Sequence, residues 1–252
     1  MTQRVRLTKE AKEQALKIYT EYGAIGLKQW AGRVDEEWLM QLATSEKRLK
    51  IYREMRDNDS TIGAVLYAMD MLVRQVKWTV EPAGKDNEYL EQAQFVEECM
   101  DDMSHTWQDL VSEILSMWVY GWSYHELVYK KRSGNYLAKV GDTGQEIEAR
   151  SKYNDGRIGW RKIPLRAQDT LDRWELDKAG GVKGLWQSPP PDYGMLFIPI
   201  DKALLFRTGA YKGSPEGRSL LRNSFRSWFF KKRIEEIEGI GIERDLAGLP
   251  VI

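Results

Sequence analysis

From Ile62 the apolar residues Ile62, Val65, Leu66, Met69, Leu72, Val73 and Val76 recur at helical spacing for four turns, behind a cap at Asp59 or Ser60. The pattern predicts a helix there, then a short strand at Trp78-Thr79-Val80 that breaks at Pro82-Ala83-Gly84. Upstream, Asp35-Glu36-Glu37 reads as a capped helix start leading into Trp38, Leu39 and Leu42. Leu49, Tyr52 and Met55 recur every third residue and predict a second short helix, stopped by the turn residues 57–60. Downstream, a helix is expected over Asn87 to Met103 with Leu90, Val96, Cys99, Met100 and Met103 inward. Another runs from Trp107 through Trp118 and stops near Gly121.

From Trp122 onward the period changes to two. Trp122, Tyr124, Glu126 and Val128 alternate with Ser123, His125, Leu127 and Tyr129, and Ser133-Gly134-Asn135 signals a hairpin. Strands are expected at Ile158–Ile163, Arg173–Leu176, Gly184–Gln187, Met195–Ile198 and Ala203–Phe206. Turns at 154–156 and 177–181, and a loop from Ser188 to Asp192 with three prolines, separate them. After Gly213-Ser214-Pro215 the helical period returns, with Leu221, Phe225, Trp228, Phe229, Ile234 and Ile237 on one broad stripe. Helices, then antiparallel strands, then a long C-terminal helix make an α+β chain, without internal repeats or coiled-coil heptads.

At 252 residues, 42% hydrophobic and with ten tryptophans, the chain has material for a sizeable core. One cysteine, Cys99, excludes an intrachain disulfide framework and suits a reducing compartment. No apolar run approaches the roughly 18 residues of a membrane helix, and the first ten residues are too charged for a secretory signal peptide. Lysines and arginines number 38 and so do aspartates and glutamates, yet the even sum conceals two blocks. Between Glu81 and Leu115 ten acids face Lys85 alone; between Lys202 and Arg233 nine basic residues face Glu216 alone. Such blocks either join copies or partners head to tail or are ordinary solvated helix faces. Before Gly32 little fixes structure, so this arm is expected to be mobile or to lie on a neighbour.

Catalytic chemistry finds little purchase. His125-Glu126 lacks the second histidine of a zinc-protease helix and reads as strand, and His105 with Cys99 makes only two ligands. The stretch 23–28 lacks the spacing and the Ser/Thr of a phosphate loop, and no nucleophile elbow occurs. The carboxylate pairs Glu97-Glu98, Asp101-Asp102 and Glu235-Glu236 would serve a Mg²⁺-dependent nuclease only if distant acids converged. No catalytic residue, cofactor site or metal site is assigned. The remaining candidate is a basic face. Arg218, Arg222 and Arg226 at i, i+4 and i+8 would stack along one helix, with Lys231, Lys232 and Arg233 extending it. Duplex phosphates and a neighbouring subunit's acidic block are both open as its partner.

The order of these signatures resembles bacteriophage portal proteins, most closely the Mu-type portal family. DSTIGAVLYAMD from Asp59 and VKWTVEPA from Val76 are similar to that family's opening helix and strand. WQDLVSEIL from Trp107 with YGWSYHELVY from Tyr120 resembles its helix–Gly–strand element. RKIPLR from Arg161, RWELD from Arg173 and FIPIDKALLFR from Phe197 are similar to its strand series. GSPEGRSLLR from Gly213, leading through Phe230-Lys231-Lys232 to ERDLAGLP from Glu243, resembles its long helix and terminal Gly-x-Pro turn. Together they span roughly residues 35 to 250.

The resemblance implies a structural ring subunit, usually a dodecamer, at one vertex of a phage head. It implies a conduit for double-stranded DNA in packaging and ejection, contacting DNA without sequence preference. Its implied partners are the major capsid protein, the terminase, which carries the ATPase, and head–tail adaptor or neck proteins, with no membrane. Its place is the virion, after assembly in the host cytoplasm. On this reading residues 1–34 are an N-terminal arm, 35–213 an α+β wing domain, and 214–252 a long helix leading toward the stem. Stem, clip and crown are expected to lie outside this chain. The alternative is another phage structural or scaffold protein that binds protein partners without conducting DNA.

Overall fold

The computed structural model describes residues 23–140 and 145–246. The first 22 residues of the expected arm and the Gly-x-Pro turn at 248–250 lie outside them. Of the arm, β1 (Gln29–Trp30) and β2 (Arg33–Val34) form a tight antiparallel pair. This pair lies on the chain's own body, where the Trp174 N–H donates to the Gly32 carbonyl at 2.9 Å.

The helix expected from Asp35 is absent. Residues 35–39 have no regular structure, and Glu36 and Glu37 instead reach basic side chains of the body. Helix α1 (Ser45–Asn58) opens at Thr44, whose hydroxyl accepts from the Lys47 N–H, and turns inward Tyr52 and Met55. Asp59 closes α1 and caps α2 (Ser60–Arg74), its Oδ1 accepting from the Thr61 and Ile62 N–H groups at 3.0 Å each. The strand expected at 78–80 is not formed. Trp78 instead packs edge-on against Trp107, centroids 6.3 Å apart, which gives its ring cover without a ladder.

Helix α3 (Asn87–Asp101) meets the body mainly at its C-terminal turn, where Cys99 is buried, and so the inward roles expected for Leu90 and Val96 fail. Both are exposed. Helices α4 (Trp107–Leu115) and α5 (Met117–Tyr120) follow, broken only at Ser116, and end at Gly121 in the left-handed region.

The strands divide as their alternation predicts, with differences in pairing. β3 (Trp122–Glu126) runs into β4 (Val128–Lys131), β5 (Tyr136–Val140), β6 (Gln145–Ala149), β7 (Ile158–Lys162) and β8 (Leu165–Arg166). The turn at 133–135 does not join a hairpin: β4 pairs with β7 and β5 with β6. Tyr136 explains part of this, since its hydroxyl accepts from the Lys131 N–H and uses a donor the ladder would need. β9 (Leu171–Leu176), β10 (Val182–Gln187) and β11 (Leu196–Pro199) form one sheet with β10 central, and β12 (Ala203–Arg207), β3 and β8 form another with β3 central.

β3 is buried on both faces. Trp122 and Tyr124 face Trp174, Leu185 and Ile198 of the second sheet, with Trp174 edge-on to both, 5.0 and 5.9 Å away. Ser123 and His125 point the other way; the Ser123 hydroxyl donates to the Ile114 carbonyl of α4. Helices, sheet and sheet thus stack as three layers. A second cluster joins Leu42, Tyr52, Met55 and Val119 to Leu221, Phe225 and Trp228, the last two from α6 (Phe225–Leu246). No helix among the described residues is long and apolar enough to cross a membrane.

Candidate functional site

The basic segment is positioned by a junction of two backbones. Gly121 (φ +92°) and Gly217 (φ +54°) lie so close that a Cβ on Gly217 would sit 2.2 Å from the Gly121 carbonyl oxygen. Around them the Gly121 carbonyl accepts from the Thr208 N–H at 2.9 Å, and the Arg218 N–H donates to the Thr208 carbonyl at 2.8 Å. The Ser219 hydroxyl donates to the Val119 carbonyl. Residues 216–219 are therefore stitched to the α5–β3 corner as irregular chain.

This geometry corrects the expected stripe. Pro215, the left-handed Gly217 and the Ser219 cap on Leu221 prevent a continuous helix from Gly213. Arg218 lies in coil, Arg222 ends the 3₁₀ turn Leu220–Arg222, and Arg226 sits in the first turn of α6. The three do not stack at i, i+4 and i+8 on one helix.

Four of the six basic candidates are engaged within the chain. Arg222 grips Glu37 with both Nε and Nη2, the latter at 2.8 Å, and the two side chains are only 16% and 13% exposed. Burial would raise the Glu37 carboxyl pKa, but the Arg222 fork and the Leu39 N–H outweigh it and hold the group below its ordinary value. Lys231 donates to Asp59 Oδ2 at 2.8 Å and, with the Ile62 N–H, lowers the pKa of that capping carboxylate. Lys232 pairs with Glu54 of α1, and Arg233 with Glu236 one turn along α6. Arg218 donates to the Asn223 side chain at 3.1 Å, and Arg226 lies over the Phe230 ring; neither has an ion-pair partner among the described residues.

Glu216, the single acid of the basic block, proves to be its anchor. Buried, it accepts from Arg48, from the Ser45 hydroxyl at 3.2 Å and from Trp174 Nε1 at 3.4 Å, joining α1 to the sheet core. Beside it Tyr52 is buried and its hydroxyl pKa is pushed up to about 12. Glu37, Glu54, Asp59 and Glu216 were missed as partners because more than 160 residues separate each from its cation, and no local spacing reports such a contact.

The acidic block is likewise divided. Asp102 meets Lys130 at 2.9 Å and the Ser151 hydroxyl, Glu98 meets Arg132, and Asp101 meets Lys152. Burial opposes ionisation of Asp102, yet the Lys152 N–H, Ser151 and Lys130 together hold its pKa low. Glu81, Asp86, Glu91 and Glu97 enter no ion pair among the described residues. Cys99 lies 3.8 Å from Arg132 Nη1, and His125 is enclosed in β3 with Nδ1 3.3 Å from the Ile163 carbonyl oxygen. Among the described residues no group of three or more His, Cys, Asp or Glu could hold a metal ion. The arrangement binds its own elements together and leaves a few cationic and apolar side chains outward.

Comparison with known families matches residues 49–244, well over half of the chain, to the portal protein of Mu bacteriophage. The match runs from within α1 almost to the end of α6 and includes the Gly121–Gly217 junction. It begins after the segment that carries Trp38 and Leu42.

Proposed function

The chain belongs to the Mu-type phage portal family, a structural component of the phage head, and from that premise we propose that it works as a ring-forming subunit at one capsid vertex. The ring, a dodecamer on the family pattern, is a channel through which double-stranded DNA enters in packaging and leaves in ejection. It docks terminase first and head–tail adaptor or neck proteins later, within a shell of major capsid protein, after assembly in the host cytoplasm. Residues 35–213 serve as the wing and 214–252 as the approach to the stem.

The family match carries this reading. Two surface features support it. α6 leaves the body after Lys232 and carries Ile234, Ile237, Ile240 and Ile242 exposed, apolar side chains spread around the helix without cover in a single copy. Arg218 and Arg226 are the basic candidates left for a neighbouring subunit or for duplex phosphates, since Arg222, Lys231, Lys232 and Arg233 are held within the chain.

The test is the mass of the purified full-length assembly by native mass spectrometry, with electron microscopy beside it. A closed ring is expected. Monomers at every salt concentration would overturn the reading. Rings distributed over the whole shell, rather than at a single vertex, would favour a scaffold that conducts no DNA.

A further inference from the structure

Two exposed features fit each other and are not in contact within one chain. The first is a cleft of about 300 Å³ between the segment after β2 and the loop before α6. Its rim carries Trp38 and Tyr211, 84% and 76% exposed. Indole and phenol rings bring large apolar area to any contact they make, and leaving both in water is unusual. In its walls Glu37 is neutralised by Arg222 and Glu216 by Arg48, so Arg218 is the cation left facing outward.

The second is the loop between β10 and β11. Pro190 and Pro191 are exposed, and Tyr193 is 67% exposed. The loop is stiff: the Tyr193 N–H donates to the Pro189 carbonyl and the Ser188 hydroxyl to the Tyr193 carbonyl, both at 2.9 Å. Tyr193 itself is held at φ +52°, a region costly for a bulky residue. Asp192, next to it, enters no ion pair among the described residues. A preformed turn loses little entropy on docking, and its exposed proline and tyrosine rings would gain apolar cover against Trp38 and Tyr211.

We propose that the Pro189–Tyr193 loop of one copy seats in the Trp38–Tyr211 cleft of the next, with Asp192 against Arg218. The inference rests on the ring reading and adds which surfaces meet. Two different patches on one chain make a heterologous contact, the kind that repeats around a closed ring.

The test is charge reversal on the full chain, read as the concentration for half-assembly. Arg218→Asp and Asp192→Arg should each raise it about tenfold or more, and the double variant should return it most of the way. Trp38→Ala should weaken assembly comparably. A second arm places cysteines at 192 and 211; Cys99 is buried, and mild oxidation should give ladders linked between copies. Single reversals that assemble like the parent, a double variant no better than the singles, or rings without cross-links would each overturn the loop-in-cleft contact while leaving the ring intact. A parent chain that stays monomeric throughout would overturn both.

Discussion

At the scale of single residues, stability rests on charges and rings shut away from water. Removing one member of a half-buried, doubly hydrogen-bonded pair strands the other, so Arg222→Ala should lower the unfolding free energy by about 2–3 kcal/mol in urea titration. Glu37→Gln should cost less, because the amide still accepts from the guanidinium. Gly217→Ala meets both a left-handed φ and a carbonyl 2.2 Å from the new carbon, and a loss of at least ~3 kcal/mol, or failure to fold, is expected. His125 has a pH signature. Burial pushes its pKa down from 6.5 to about 4, so above 6.5 the ring is neutral in both states. As pH falls through that interval, the unfolded chain takes up a proton that the folded chain refuses, and stability is lost. From pH 7 to 5 this group alone should remove about 2 kcal/mol. A His125→Phe variant should show a correspondingly flatter decline than the parent, because the carboxylates Asp59 and Asp102 titrate in both.

At the scale of elements, much was legible and the failures share a cause. α1, α4 and the strands β3, β9, β10, β11 and β12 follow their hydrophobic periods, since each buries residues that the pattern marks. α2 keeps its helical spacing with no side chain fully buried and with Val65 and Leu72 exposed. Leu90 and Val96 satisfy the same patterns, yet no neighbouring element arrives to cover them, and Trp78 meets Trp107 without a partner strand. Periodicity reports which face is apolar, not whether the single chain buries it. Helical spacing alone puts the start of the long helix about a dozen residues too early, because Leu221 and Phe225 keep that spacing across a 3₁₀ turn, while Pro215 and Gly217 decide the backbone. The exposed isoleucines of α6 give a prediction of their own. Ile237, 69% exposed, should tolerate Ile237→Glu within about 0.5 kcal/mol of monomer stability. The same change should depress assembly, measured by light scattering; unaltered assembly would remove the Ile237 face of α6 from the interface.

At the scale of the whole molecule, the ordering of segments was readable and the wiring between them was not. Helices, sheets and terminal helix appear in the expected order, and the portal family could be named from that order. The candidate site fared worse. Its six basic residues were legible as a block, but Glu37, Glu54 and Asp59, which fold three-quarters of the chain's length back onto that block, left no trace in local sequence. The opposed charge blocks consequently spend much of their charge inside the subunit. What remains outward is smaller and more specific: Arg218, Arg226, a few acids of α3, and the aromatic and proline surfaces.

The rooting of α6 has a mechanical meaning. The helix is fixed to α1 by Lys232, to the head of α2 by Lys231, and to the inner cluster by Phe225 and Trp228, while its far half is unsupported in one copy. It is a lever with a short clamped end and a long free one. A push or torque applied at the tip passes through two ion pairs and two aromatic rings, then through Arg48 and Glu216 into the sheets. Strain exerted at the free end of the helix would therefore reach Trp174 in the sheet core without any strand having to slide.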